Sequence, residues 1–231
     1  MSQKFIVGID EVGRGPVAGP VSVGVVVAPV SFDVRHAFAA TGLTDSKRMS
    51  PSARERVHEL ARELRESSTI AFGVYSVSAA RIDQWGITRA IDTALAEGLA
   101  ALIPEHLGVE VLLDGRLRAP RQYAQRSIIG GDLSVPIISL AAVVAKVERD
   151  ALMSGPIDTK YPHYGFSSHK GYGTEAHLSA IQTHGLTPIH RKTFLTNVIG
   201  FAHGRSTKQP GLRPTRRSAG STADAADSTR T

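Results

Sequence analysis

Residues 8–21 read GIDEVGRGPVAGPV, and the apolar run Phe5-Ile6-Val7-Gly8-Ile9 leads straight into two adjacent acids, Asp10 and Glu11. Neighbouring side chains of a strand point to opposite faces. Two carboxylates where a strand leaves the core are therefore either a solvated corner or the ends of a chain that bends so both reach one object. A strand Phe5–Asp10 is followed by a second, Val21–Ala28, with no helical stretch between them, which predicts an antiparallel pair. Further strand-like segments are Thr69–Ser76, Val109–Asp114 and roughly Gln125–Ile129. A helix is expected from Ser50-Pro51, serine as cap and proline in the first turn, with Val57, Leu60, Ala61 and Leu64 as its apolar stripe. A second runs from about Thr88 to Leu102 on Ile91, Leu95, Leu99 and Leu102. A third, Pro136–Val147, is apolar almost all round and so largely buried, and Gly173–His184 makes a shorter fourth. Later strands alternating with helices imply an α/β fold, a mixed sheet with helices on its faces.

The 231 residues suffice for one good core, or for a domain with an appendage, and 42% are hydrophobic. The chain has no cysteine, which excludes disulfides, thiolate metal sites and cysteine nucleophiles and is compatible with a reducing cytoplasm. Lys4 precedes only a brief apolar stretch, unlike a secretory signal. The longest apolar runs, Val21–Val30 and Val135–Val147, fall short of the roughly 20 residues that span a bilayer, so no membrane partner is expected. The formal charge of +6 needs dissection before it argues for nucleic acid. Residues 201–231 hold six Lys/Arg against Asp224 and Asp227, a net of +4, leaving only +2 for residues 1–200. Rich in Ser, Thr, Arg, Gly and Pro, that tail is expected to be disordered and appended to a single catalytic unit, residues 1–200. Its basic cluster either holds phosphates loosely or only aids solubility.

More carboxylates fall at element boundaries. VEVLLDGR puts Asp114 at the end of an apolar strand, and IIGGDLSVP puts Asp132 just before the buried helix. In open α/β sheets ligands gather at strand ends. Asp10, Glu11, Asp114 and Asp132 converging there would form an all-oxygen site for a hard cation, Mg²⁺ or Mn²⁺. Paired ions of this kind serve phosphodiester cleavage. On that reading, glycine and the turn break the strand's alternation and let Glu11 swing toward the ion that Asp10 binds. Each acid also has a plainer explanation. Asp114-Gly115 is a common turn pair, Asp132 suits the N-terminal end of a helix, and Asp10-Glu11 suits a wet corner.

Two loops add to the case. Gly13-Arg14-Gly15 offers backbone with no side chain in the way of a ligand, although a tight turn explains it equally well. SSHKGYGT exposes Tyr172 between glycines, able to stack on a sugar or base, or simply to pack its ring and leave its hydroxyl wet. Lys47 in TDSKRMS and Lys146 in AAVVAKVERD are candidate phosphate contacts, and for Lys146 the alternative is snorkelling from an apolar helix.

GIDEVGRGPVAGPV, LTDSKRMS, LLDG, GGDLSVPIISLAAVVAKVERD, YPHYGFSSHKGYGT and TPIHRKTF occur in an order that resembles the bacterial ribonuclease HII family over about residues 4–195. The combination of DE-x-GRG with HKGYGT is specific where each piece alone is not. The resemblance implies an RNase H-like fold, a five-stranded mixed sheet flanked by helices with a C-terminal helical segment. It implies an endonuclease that cleaves the RNA strand of RNA–DNA hybrids and incises duplex DNA 5′ of embedded ribonucleotides, leaving 3′-hydroxyl and 5′-phosphate ends. By position, Asp10, Glu11, Asp114 and Asp132 resemble that family's metal-binding carboxylates. Gly13, Arg14 and Gly15 resemble its loop that senses the 2′-hydroxyl, mainly through backbone atoms. Tyr172 resembles its tyrosine that stacks on the deoxyribose next to the ribonucleotide, and Lys47 and Lys146 its lysines near phosphates. The implied enzyme is a cytoplasmic monomer. Gly130-Gly131 and Ala142 depart from a usual Lys-Gly and Ser. Ribonuclease HIII carries an N-terminal substrate-binding extension, for which nine residues before the acid pair leave no room. A Gly-Lys-Ser/Thr phosphate loop, expected of a nucleotide kinase, is absent. A binding module without catalysis would gain nothing from four acids beside an anionic backbone.

Overall fold

The computed structural model describes residues 4–103 and 108–196, so the basic tail and the last residues of the expected catalytic unit lie outside the described residues. The strands are β1 (Phe5–Val12), β2 (Val21–Pro29), β3 (Ala71–Val77), β4 (Val109–Asp114) and β5 (Ala124–Ile128). They form one sheet in the order β3-β2-β1-β4-β5. β1 pairs antiparallel with β2 and parallel with β4, so the sheet is mixed as expected. The helices are α1 (Val34–Ala37), α2 (Pro51–Glu66), α3 (Ala79–Trp85), α4 (Ile87–Leu102), α5 (Gly131–Ser134), α6 (Pro136–Leu152), α7 (Asp158–Lys160), α8 (Phe166–His169) and α9 (Glu175–His184). Ser50 caps α2 by accepting from the Ala53 N–H, with Pro51 at its first position.

The strand pleat sorts side chains into two cores. Val7 and Ile9 of β1 and Val23 and Val25 of β2 pack against Ala90, Ile91, Ala94, Leu95 and Leu99 of α4. The opposite face carries Val26, Ala28 and Leu112, covered by α6 and α2. On that face β1 and β2 each present a glycine. A Cβ at Gly8 would collide with the Ile137 carbonyl, and one at Gly24 with the Ala141 carbonyl. Helix backbone thus rests on strand backbone, and α6 is buried on nearly every side from Ile137 to Ala145. A smaller cluster, Ala18, Met153, Tyr164, Phe166, Ile181 and Leu195, holds the helical segment that follows α6.

Two expectations need correction, and one helix was not anticipated. β1 does not end at Asp10, nor does the chain break its alternation there. Its ladder with β2 continues through Glu11↔Val23 and Val12↔Ser22, and the turn waits for Gly13 at φ +83°. Asp10 and Glu11 therefore leave opposite faces of an unbroken strand. No helix separates β4 from β5. Residues 115–123 make the parallel connection as loop, held by Gln125, whose side chain bonds both the Ala119 N–H (2.8 Å) and its carbonyl (2.9 Å). The short helix α3, capped by Ser78, had no counterpart in the sequence reading.

If the glycine contact sets the helix–sheet distance, Gly8→Ala should destabilise the protein by about 1–3 kcal/mol in urea unfolding, the usual cost of overpacking. A change under about 0.5 kcal/mol would show that α6 yields freely.

Candidate active site

The carboxylates of Asp10 (β1), Asp114 (β4) and Asp132 (α5) come together, each offering an oxygen within 4.8 Å of the others. Parallel pairing of β1 with β4 sets two of them side by side at adjacent strand ends. The third is delivered by the loop after β5. Gly130 adopts φ +66°, and the Asp132 N–H donates to Asp114 Oδ1 at 3.2 Å. The Ser139 hydroxyl in α6 donates to the Asp132 carbonyl at 2.6 Å, tying α5 to α6. Asp10 and Asp132 are buried. Glu11 stands outside this triad, with Oε1 3.2 Å from Arg14 Nη1.

The cluster is electrostatically unbalanced. Burial, and then the neighbouring charges of Glu11 and Asp114, push the Asp10 carboxyl from an ordinary 3.8 up to about 8, against the bond from the Glu11 N–H. Burial likewise pushes Glu11 up, with Arg14 opposing. Among the described residues the cation paired with the triad is Lys47, whose ammonium is 3.4 Å from Asp132 and whose side chain is 79% exposed. Its loop is fixed from within. Asp45 accepts from the Lys47 N–H at 2.9 Å, and Arg54 donates to the Ser46 and Met49 carbonyls. An all-oxygen triad with excess negative charge and little compensation suits a hard divalent cation.

The other expected residues lie at varied distances from this centre. Gly13 is buried, whereas Arg14 and Gly15 are exposed. A Cβ at Gly15 would sit 3.8 Å from the Tyr172 ring, so the glycine loop and the exposed Tyr172 adjoin. Lys146 is not among the triad's partners; its ammonium pairs with Asp150 at 3.0 Å, one turn along α6.

Sequence reasoning missed what holds the Tyr172 loop. The Thr187 N–H donates to His190 Nδ1 (2.9 Å), His190 and His177 meet through their Nε2 atoms (3.1 Å), and His177 Nδ1 lies 2.8 Å from the Tyr172 carbonyl. That carbonyl can only accept, so His177 carries its proton on Nδ1 and His190 on Nε2, and the chain closes with both rings neutral. Burial pushes His177 down to about 4, consistent with that assignment. Arg149 and Arg191, buried beneath the same loops, were also missed. A basic residue inside ERD or HRK reads as surface, and nothing local signals otherwise.

A family model for ribonuclease HII matches residues 7–197. The chain belongs to the ribonuclease HII family. Ribonuclease HII of Geobacillus thermodenitrificans is 42% identical over 191 residues, 82% of this chain and 68% of that one. Among solved structures, ribonuclease H2 from Pyrococcus horikoshii OT3 superposes with a TM-score of 0.65 at 23% identity, covering 82% of this chain and 93% of its own. Bst-RNase HIII in complex with Mn²⁺ superposes at 0.61 with 17% identity, over 88% and 72% respectively. The fold is thus RNase H-like, and the family is one of metal-dependent endoribonucleases acting on RNA–DNA hybrids and leaving 5′-phosphate ends.

The raised Asp10 carboxyl has a consequence for the metal-free protein. The folded state keeps a proton that the unfolded chain loses above about pH 4, so stability falls as pH rises from about 4 to about 8 and then levels. Asp10→Asn removes that penalty. In chelator it should exceed the parent's stability by about 2–5 kcal/mol at pH 8.5, with the gap closing near pH 4. Thermal unfolding across that range checks this, and a pH-independent gap would refute it.

Proposed function

We propose that this chain incises duplex DNA on the 5′ side of embedded ribonucleotides, as well as the RNA strand of hybrids, using Mg²⁺ or Mn²⁺ held by Asp10, Glu11, Asp114 and Asp132. The observation that carries the reading is the convergence of three carboxylates, from residues 10, 114 and 132, on one point at the strand ends. The Mn²⁺ complex of a structural relative favours the same ion class. Bound there, such ions supply activation of the attacking water and neutralisation of the leaving 3′-oxygen. Asp10, Asp114 and Asp132 hold the site. Glu11 leaves the other face of β1 but close to its end, where its charge already bears on Asp10 and is felt from Asp114, and it would join them if the ion drew its carboxylate away from Arg14.

Recognition falls to the neighbouring loops. Gly13, Arg14 and Gly15 meet the 2′-hydroxyl with backbone groups, the atom set that distinguishes RNA from DNA at a single nucleotide. Tyr172, exposed beside Gly15, stacks on the adjoining deoxyribose. Lys47 exchanges Asp132 for a phosphate, and Lys146 does so only by leaving Asp150. The catalytic unit is residues 1–200, acting as a monomer in the cytoplasm. No described helix is long and apolar enough to cross a membrane.

The test is a DNA duplex carrying one ribonucleotide, with and without Mg²⁺ or Mn²⁺. The expected product is a single nick 5′ of the ribonucleotide, with 3′-hydroxyl and 5′-phosphate ends, and none in chelator. Cleavage elsewhere, or none with either ion, would refute the reading. On this substrate Tyr172→Ala should lose about 5- to 30-fold in kcat/KM and Tyr172→Phe less, in line with stacking worth roughly 1–2 kcal/mol. Parental rates in Tyr172→Ala would reduce that side chain to packing.

A further inference from the structure

Arg149 and Arg191 are the largest fully buried side chains described, 1% and 0% exposed. A buried charge is costly unless it is paired or saturated with hydrogen bonds. Neither forms an ion pair with a carboxylate among the described residues, and burial pushes both guanidinium groups below their ordinary range. Backbone carbonyls take the place of a counter-ion. Arg191 donates to Gly13 (2.7 Å), Arg14 (3.1 Å) and Gly19 (2.9 Å). Arg149 donates to Pro20 (2.9 Å), Lys170 (3.2 Å) and Ala18 (3.4 Å). Five of the six acceptors lie between β1 and β2, in residues 13–20, and the sixth, Lys170, stands two residues before Tyr172.

The choice of acceptors sets the direction of the donors. Every described peptide is trans, so a carbonyl and the following N–H point opposite ways. Turning the Gly13 and Arg14 carbonyls inward onto Arg191 turns the Arg14 and Gly15 N–H groups outward. Those two N–H groups have no partner among the described residues, and both residues are exposed beside the Tyr172 ring. The second arm is locked to the first, because the Val17 and Ala18 N–H groups both donate to the Gly171 carbonyl (2.9 and 3.1 Å). Gly171 has φ +88°, and a Cβ there would collide with the Ala18 carbonyl, so the two loops meet backbone to backbone.

We infer that Arg191, supported by Arg149, is a positioning residue for ribonucleotide recognition, holding the carbonyls of residues 13 and 14 inward so that the next two N–H groups face the substrate. This rests on the reading of the glycine loop as the ribonucleotide reader. It places selectivity for the 2′-hydroxyl on a side chain that never touches substrate, and it separates selectivity from the carboxylate triad. Lysine keeps the charge at position 191 but cannot present three N–H groups in a planar fork.

The test compares the parent with Arg191→Lys and Arg191→Gln, by fluorescence anisotropy in chelator, on two duplexes identical except for one ribonucleotide. Mn²⁺-induced thermal stabilisation of the same proteins, measured without nucleic acid, reports on the triad. The parent should prefer the ribonucleotide duplex. Both variants should lose that preference by about 5- to 10-fold, with affinity for the all-DNA duplex within about twofold and the Mn²⁺ shift retained. Preference retained in folded variants would overturn the inference. So would a proportional loss on both duplexes, or failure of Arg191→Lys to fold, since either makes the clamp a folding element only. A parent without preference would instead refute the glycine loop as reader, and the inference would fall with it.

Discussion

Contact between the backbone of α6 and the glycines of β1 and β2 is the constraint on which the site depends. With the Ile137 carbonyl seated over Gly8 and the Ala141 carbonyl over Gly24, the helix lies closer to the sheet than side-chain packing would allow. That closeness fixes where α6 begins. Its first turn and α5 must then lie over the ends of β1 and β4, and Ser139 and Asp114 secure Asp132 there by hydrogen bonds to its backbone. An aspartate more than a hundred residues from Asp10 in the chain thereby joins it at one point.

The two halves of the site are stabilised in contrasting ways. The triad is built in electrostatic conflict, with carboxylates crowded and partly desolvated, a condition that a divalent cation relieves. The glycine loop and the Tyr172 loop are built in electrostatic satisfaction. Two buried cations each donate to three carbonyls, and neutral histidines hand hydrogen bonds from Thr187 to the Tyr172 carbonyl.

Much of this was legible in the chain. β4 runs from Val109 to Asp114 as its apolar run predicts, and Ser50-Pro51 starts α2, because these signals are local. Three of the four carboxylates singled out at element boundaries do converge. Glu11 illustrates the limit. Its placement depends on whether the ladder with β2 ends at Asp10 or at Val12, and pairing partners are not visible in a strand's own residues. The loop connecting β4 to β5 and the roles of Arg149, Arg191, His177 and His190 were hidden for the same reason. Each is defined by carbonyls or rings distant in sequence, with no periodicity to announce it.

The central claim is that residues 10, 114 and 132 make one cation site. Calorimetric titration of Mn²⁺ into the parent and into Asp10→Asn, Asp114→Asn and Asp132→Asn tests it most directly, without substrate or turnover. The account predicts that each substitution weakens Mn²⁺ binding by about tenfold or more, Asp132→Asn as surely as the two strand residues. Parental affinity in Asp132→Asn would contradict it, since α6 would then be placing that carboxylate beside the site and not in it.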